Sequence, residues 1–134
     1  MYYILKNKQP ELTDFKTWTE FISQPEQLVI ASTSIAFRWH GHLMVSVHVG
    51  TIFTGVEANF LIKGLFETQI MDGVRAGPIL GASTWHDAIV NHELSVERTI
   101  SQYKCISAKL KENLARVMPC SPETLTAEIK QTIY

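Results

Sequence analysis

Residues 43–53 read Leu43-Met44-Val45-Ser46-Val47-His48-Val49-Gly50-Thr51-Ile52-Phe53. Leu43, Val45, Val47, Val49 and Phe53 fall on one side of an extended chain, and Met44, Ser46, His48, Gly50 and Ile52 on the other, because successive strand side chains point to opposite faces. A helix would scatter these residues around its surface, so the period predicts a strand covered on one side. Upstream, Val29, Ile30 and Ile35 among serines and threonines have strand composition, and His40-Gly41-His42 reads as a hairpin turn. Downstream, Asn59 to Gly64 reads as a loop and Leu65 to Met71 as another strand; Asp72-Gly73 ends it, and Gly77-Pro78 keeps residues 73–82 irregular. Short turns without crossover helices predict antiparallel pairing.

On the N-terminal side, Tyr2 to Leu5 reads as a short strand. Thr13 is positioned to cap a helix over residues 14–23, whose apolar side is Phe15, Trp18, Phe21 and Ile22 and which Pro25 ends. From Ser83 the period becomes 3.6. Thr84 and Asp87 stand at capping-box spacing, and Trp85, Ile89, His92, Val96, Ile100, Tyr103, Ile106, Leu110, Leu114 and Val117 follow in steps of three or four. Such a helix of about 33 residues is roughly 50 Å long, whereas a globule of this size is about 30–35 Å across. Its protruding stripe therefore predicts self-association through residues 96–118. Ser121-Pro122 reads as the start of a last helix with Leu125, Ile129 and Ile133 on its apolar side. The expected class is α+β: one domain, with an antiparallel sheet over about residues 27–71 packed against C-terminal helices, and a short N-terminal helix. Residues 1–82 form the strand-rich part and 83–134 the helical part.

Apolar residues are 46% of the 134, enough for one core, while charged residues are only 19%, which implies that part of the surface is covered by a partner or by copies of the chain itself. With 12 basic and 13 acidic residues the net charge is −1, so the basic stripe of a duplex nucleic-acid binder is missing. Cys105 and Cys120 lack CxxC spacing and read as reduced thiols. Lys6 follows Met1–Leu5 at once and no apolar run approaches the roughly 18 residues of a membrane span, so a cytoplasmic location without a membrane is expected.

Three segments resemble a widespread, uncharacterised family of short phage and prophage proteins. They are Val49-Gly50-Thr51-Ile52-Phe53-Thr54-Gly55 followed by Asn59-Phe60, Leu65-Phe66-Glu67-Thr68-Gln69-Ile70-Met71, and Ser83-Thr84-Trp85-His86-Asp87-Ala88-Ile89-Val90-Asn91-His92. The family's counterparts run VSTVFLG, NF, LFETMVF and STWEEAEAGH. The order and spacing agree over about residues 27–96. Residues 36–44 look like an inserted hairpin, Asn91 stands where the family has Gly, and the helix continues past the family's usual end. The resemblance implies a phage setting, hence the host cytoplasm, and no particular activity.

Several constellations bear on function. Glu67 in the Phe66-Glu67-Thr68 signature either receives hydrogen bonds from a ligand or caps the amides near Ser83–Trp85. Trp85 and His92, seven apart on one helix face, either join Phe66 as an aromatic pocket for a planar ligand or pack in the core with a satisfied histidine. Asn91 lies beside His92, and Arg98, Lys104, Lys109, Lys111 and Arg116 on the long helix offer charges to phosphates or form a solvated face with Glu97 and Glu112. His40, His42 and His48 share a strand face but lack Cys, Asp or Glu at ligand spacing, so no metal is assigned. GxGxxG, GxxxxGK[ST] and GxSxG are absent. No catalytic residue, cofactor or enzyme activity is therefore expected. The expected function is non-enzymatic counter-defence: sequestration of a small anionic nucleotide immune signal through Phe66, Glu67, Thr68, Trp85, Asn91, His92 and Arg98. It is analogous in size and architecture to the Thoeris anti-defence sponges. The alternative partner is a host defence protein such as a CRISPR effector, with an unrecognised enzyme or phage assembly component further off.

Overall fold

The structure is a computed structural model that describes residues 1–39, 41–57, 64–72, 77, 79–115 and 126–134, with residues 106–115 described in their backbone alone. The expectations placed on His40, on the loop from residue 59 to 63, on most of the Gly73–Pro78 loop and on Ser121-Pro122 lie outside these residues.

β3 (Val29–Trp39) and β4 (His42–Phe53) form the central hairpin, turning at Gly41, whose φ of 76° suits a residue without a Cβ. β5 (Phe66–Met71) pairs with the far side of β4, and β6 (Leu80–Ala82) with β5. β7 (Thr126–Ile133) lies on the other edge, giving a five-stranded antiparallel sheet in the order β6-β5-β4-β3-β7. The alternation legible in residues 43–53 is realised: Val47, Val49 and Phe53 are buried on one face with Thr51, while Ile52 is exposed on the other. Leu43, near the hairpin tip, is exposed.

α2 (Trp85–Ala115) crosses the buried face. The Thr84 hydroxyl accepts the Asp87 N–H at 3.1 Å and so caps its first turn. The helix leads from one apolar cluster to another. Ala88 is buried with Ile30, Phe53, Leu65 and Phe66, and Ile89 packs against them; two turns later Val96 joins Ile35, Phe37, Val47 and Val49, flanked by Ile100 and Tyr103. Tyr103 stacks on Phe37 with centroids 4.4 Å apart. Val96, Ile100 and Tyr103, the first part of the stripe assigned to self-association, are thus used inside the molecule. The side chains of 106–118 lie outside the described residues.

β1 (Tyr2–Lys6) and β2 (Gln9–Thr13) form a separate hairpin through Asn7 and Lys8, both at positive φ as a tight two-residue turn requires. α1 (Phe15–Ile22) follows. Its cap is Asp14, whose carboxylate accepts the Thr17 N–H at 2.7 Å, and not Thr13, which ends β2. Phe21 meets Phe53 edge-on, and the Trp18 indole donates to the Thr54 carbonyl at 3.1 Å.

Three strands differ from the sequence reading, the first being β2, which fills residues to which no element was assigned. β6 occupies part of the stretch read as irregular. More consequentially, residues 126–133 form β7 where a helix was expected. Ile129 and Ile133 are four apart, a spacing shared by one face of a helix and one face of a strand. The outer edge of β3 decides between the two, because its backbone groups over Ala31–Arg38 find their partners in β7.

Candidate functional site

Between the two apolar clusters runs a buried polar band. Thr33, Thr51 and Thr68 come from three adjacent strands and face α2, and His92 descends onto them from one helical turn beyond Ala88. His92 Nε2 lies 2.7 Å from Thr33 Oγ1 and Nδ1 2.8 Å from Thr51 Oγ1; Thr51 Oγ1 is 2.7 Å from Thr68 Oγ1. Burial, and secondarily the proximity of His48, hold the His92 imidazole below its ordinary pKa, so it is neutral at pH 7. A neutral ring has one N–H and one lone pair, so it donates to one threonine and accepts from the other. Among the described residues no buried side-chain nitrogen or oxygen lacks a partner. The band therefore locks the register of α2 on the sheet.

Beyond this band, between α2 and the β5–β6 side of the sheet, lies a cleft of about 330 Å³. Val47, Ile70 and Leu80 line its apolar side. Arg98, Gln102 and Tyr103 from α2 line its polar side, with Asp72 after β5 and Gly77 at the rim. Burial, then the Asp72 carboxylate, raise the Tyr103 phenol above its usual pKa, so it remains a hydroxyl donor. Arg98 is exposed, and among the described residues its guanidinium makes no ion pair.

The seven residues read as one ligand site from the sequence are divided by the structure. Phe66 is fully buried between Phe53, at 5.1 Å, and the edge of Trp85, at 6.5 Å. Trp85 itself is mostly buried against this cluster, as expected, and the Lys8 ammonium sits 5.2 Å over its ring. Thr68 and His92 belong to the polar band. Asn91 is half-buried and donates its amide to the Gly81 carbonyl at 3.2 Å, tying β6 to the helix. Glu67 points to the face of β5 opposite α2, away from Phe66 and Thr68, and cannot cap that helix. Of the seven, Arg98 alone lines the cleft. His42 is exposed, and His48 Nδ1 lies 3.4 Å from Ser34 Oγ; among the described residues no group of three or more His, Cys, Asp or Glu is placed to hold a metal ion.

Sequence reasoning missed Thr33 and Thr51 as the partners of His92. The signal was present at Thr51, which interrupts the apolar series Val47, Val49, Phe53 with a hydroxyl on the covered face. The cleft residues Gln102 and Tyr103 carried no comparable signal. No family model matches the chain, and comparisons with curated proteins and with solved structures found no similar protein.

Proposed function

We propose that this is a non-enzymatic binding protein that takes a small anionic ligand in the cleft between α2 and the sheet, with Arg98 as the anion-recognising group. The observation that carries this reading is a guanidinium with no ion-pair partner among the described residues, in a cleft lined otherwise by apolar, hydroxyl and amide groups and by one carboxylate, Asp72. At about 330 Å³ the cleft is at the small end of ligand sites, which run from about 300 to 1,000 Å³. Arginine suits phosphate because its planar fork donates two parallel hydrogen bonds. In the phage setting implied by the Phe66-Glu67-Thr68 and Ser83–His92 segments, the ligand is a nucleotide immune signal and the role is its sequestration in the host cytoplasm. His92 has both ring nitrogens engaged inside the core, which leaves it unsuited to proton transfer with a bound ligand.

Isothermal titration against cyclic nucleotides and cyclic ADP-ribose isomers tests this. One member of the panel should bind with submicromolar affinity. Arg98→Ala should weaken it by ten- to hundredfold, the equivalent of the roughly 1.5–3 kcal/mol of a charge-assisted hydrogen bond. A folded protein that binds none of them, yet protects phage in cells, overturns the reading in favour of an inhibitor that docks on a defence protein. For such docking the sheet face opposite α2, where Ile52 and Met71 are exposed among the described residues, is the candidate surface.

A further inference from the structure

We propose that β7 is a dimerisation edge, on which a second copy of this chain adds its own β7 in antiparallel register about a two-fold axis through Ile129. This stands independently of the ligand reading.

β7 closes the sheet on one side, and among the described elements none lies beside its outer edge. The direction of its free backbone groups follows from its pairing with β3. The Tyr134 N–H donates to the Ile30 carbonyl at 2.9 Å, and the register continues through Thr132 opposite Ser32, Lys130 opposite Ser34 and Glu128 opposite Ala36. In an antiparallel ladder alternate residues direct both backbone groups to the same neighbour. The even-numbered residues of β7 thus bond to β3, and Ala127, Ile129, Gln131 and Ile133 direct their N–H and C=O outward. Ile129 is also 46% exposed, an apolar side chain next to unpaired strand backbone. Natural edges are blunted by a proline, a bulge, a very short strand or charged side chains; β7 runs for 8 residues in regular register and carries only the oppositely charged Glu128 and Lys130, which disfavour a mismatched edge but suit a second copy.

The sequence of the edge selects its partner. Thr126-Ala127-Glu128-Ile129-Lys130-Gln131-Thr132 is self-complementary about Ile129. When Ile129 faces its own copy, Glu128 stands opposite the partner's Lys130, Ala127 opposite the partner's Gln131 and Thr126 opposite the partner's Thr132. The outward odd-numbered residues then form the hydrogen-bonded pairs. Glu128 and Lys130 form the non-hydrogen-bonded pairs, in which side chains approach most closely. Shifting the axis by one residue either way sets Glu128 against Glu128 or Lys130 against Lys130. Arg38, already 3.2 Å from Glu128 within the chain, extends each cross-strand ion pair to a third charge. A closed two-fold contact of this kind joins two five-stranded sheets and removes an aggregation-prone edge.

Sedimentation equilibrium on the intact chain tests the proposal through charge reversal. Wild type should shift from 15.2 kDa to twice that mass as concentration rises through the micromolar range. Glu128→Lys and Lys130→Glu alone should each weaken the dimer about tenfold, since each affects two symmetry-related pairs, and the double exchange should restore it to within about threefold. Circular dichroism confirms that each variant is folded. In a background with Cys105 and Cys120 replaced by Ser, I129C should oxidise to a covalent dimer and Q131C should not. Only residue 129 faces its own copy at the roughly 5.5 Å Cα spacing that a disulfide accepts. A chain that stays at 15.2 kDa up to about 100 μM, a dimer indifferent to both single reversals, or crosslinking at 131 instead of 129 would each overturn it.

Discussion

His92 ties α2 to three strands at once, because one ring satisfies hydroxyls on two strands and, through Thr51, reaches a third. His92→Ala should lower the unfolding free energy by about 3–5 kcal/mol, combining a cavity with stranded threonine hydroxyls; urea denaturation reads this directly. The ring also ties stability to pH. Its folded pKa lies below the ordinary 6.5, so the unfolded chain binds the proton first. Stability is therefore unaffected by this group well above 6.5. It falls as pH drops below that value, until the folded-state pKa is passed. His92→Gln, which retains hydrogen-bonding capacity, should flatten the slope between pH 7.5 and 5, and parallel slopes for the two proteins would exclude His92 as its source. The seven-residue spacing from Trp85 told which helix face His92 occupies. It could not tell that the face meets threonines 59 and 41 residues earlier in the chain, since that depends on strand register.

At the level of elements, the long helix and the central hairpin were legible because their periods persist over many residues. β7 was not, because an apolar spacing of four fits both periods and because the deciding partner, the open edge of β3, is a tertiary feature. The α2 cap was legible as a local pattern, and Thr84→Ala should cost about 1 kcal/mol in thermal or chemical unfolding. Gly55 has a larger role that no local pattern announced. Its φ is 70°, its carbonyl receives the Tyr3 N–H at 2.7 Å, and a Cβ there would collide with the Tyr3 carbonyl and the Trp18 indole. Gly55→Ala should therefore destabilise the protein by more than about 2 kcal/mol and detach the β1–β2 unit first, visible as early hydrogen exchange at the Tyr3 amide.

For the whole molecule, the α+β class and the antiparallel sheet could be read from the sequence, whereas of the proposed cleft only Arg98 stood out as a site residue. The aromatic and polar residues that suggested a pocket, Phe66, Trp85 and His92, are the same types that fill a core and a buried polar band, and only the packing of α2 on the sheet separates these roles. The cleft lies between α2 and the β5–β6 side of the sheet, a property of several elements together. The direct test of the account is mass spectrometry of the small molecules released on denaturing protein purified from cells with an active nucleotide-based defence. Wild type should release a phosphate-bearing compound in proportion to the chains present, and Arg98→Ala should release at least tenfold less. Release of no such compound by wild type, or of equal amounts by both proteins, would contradict it.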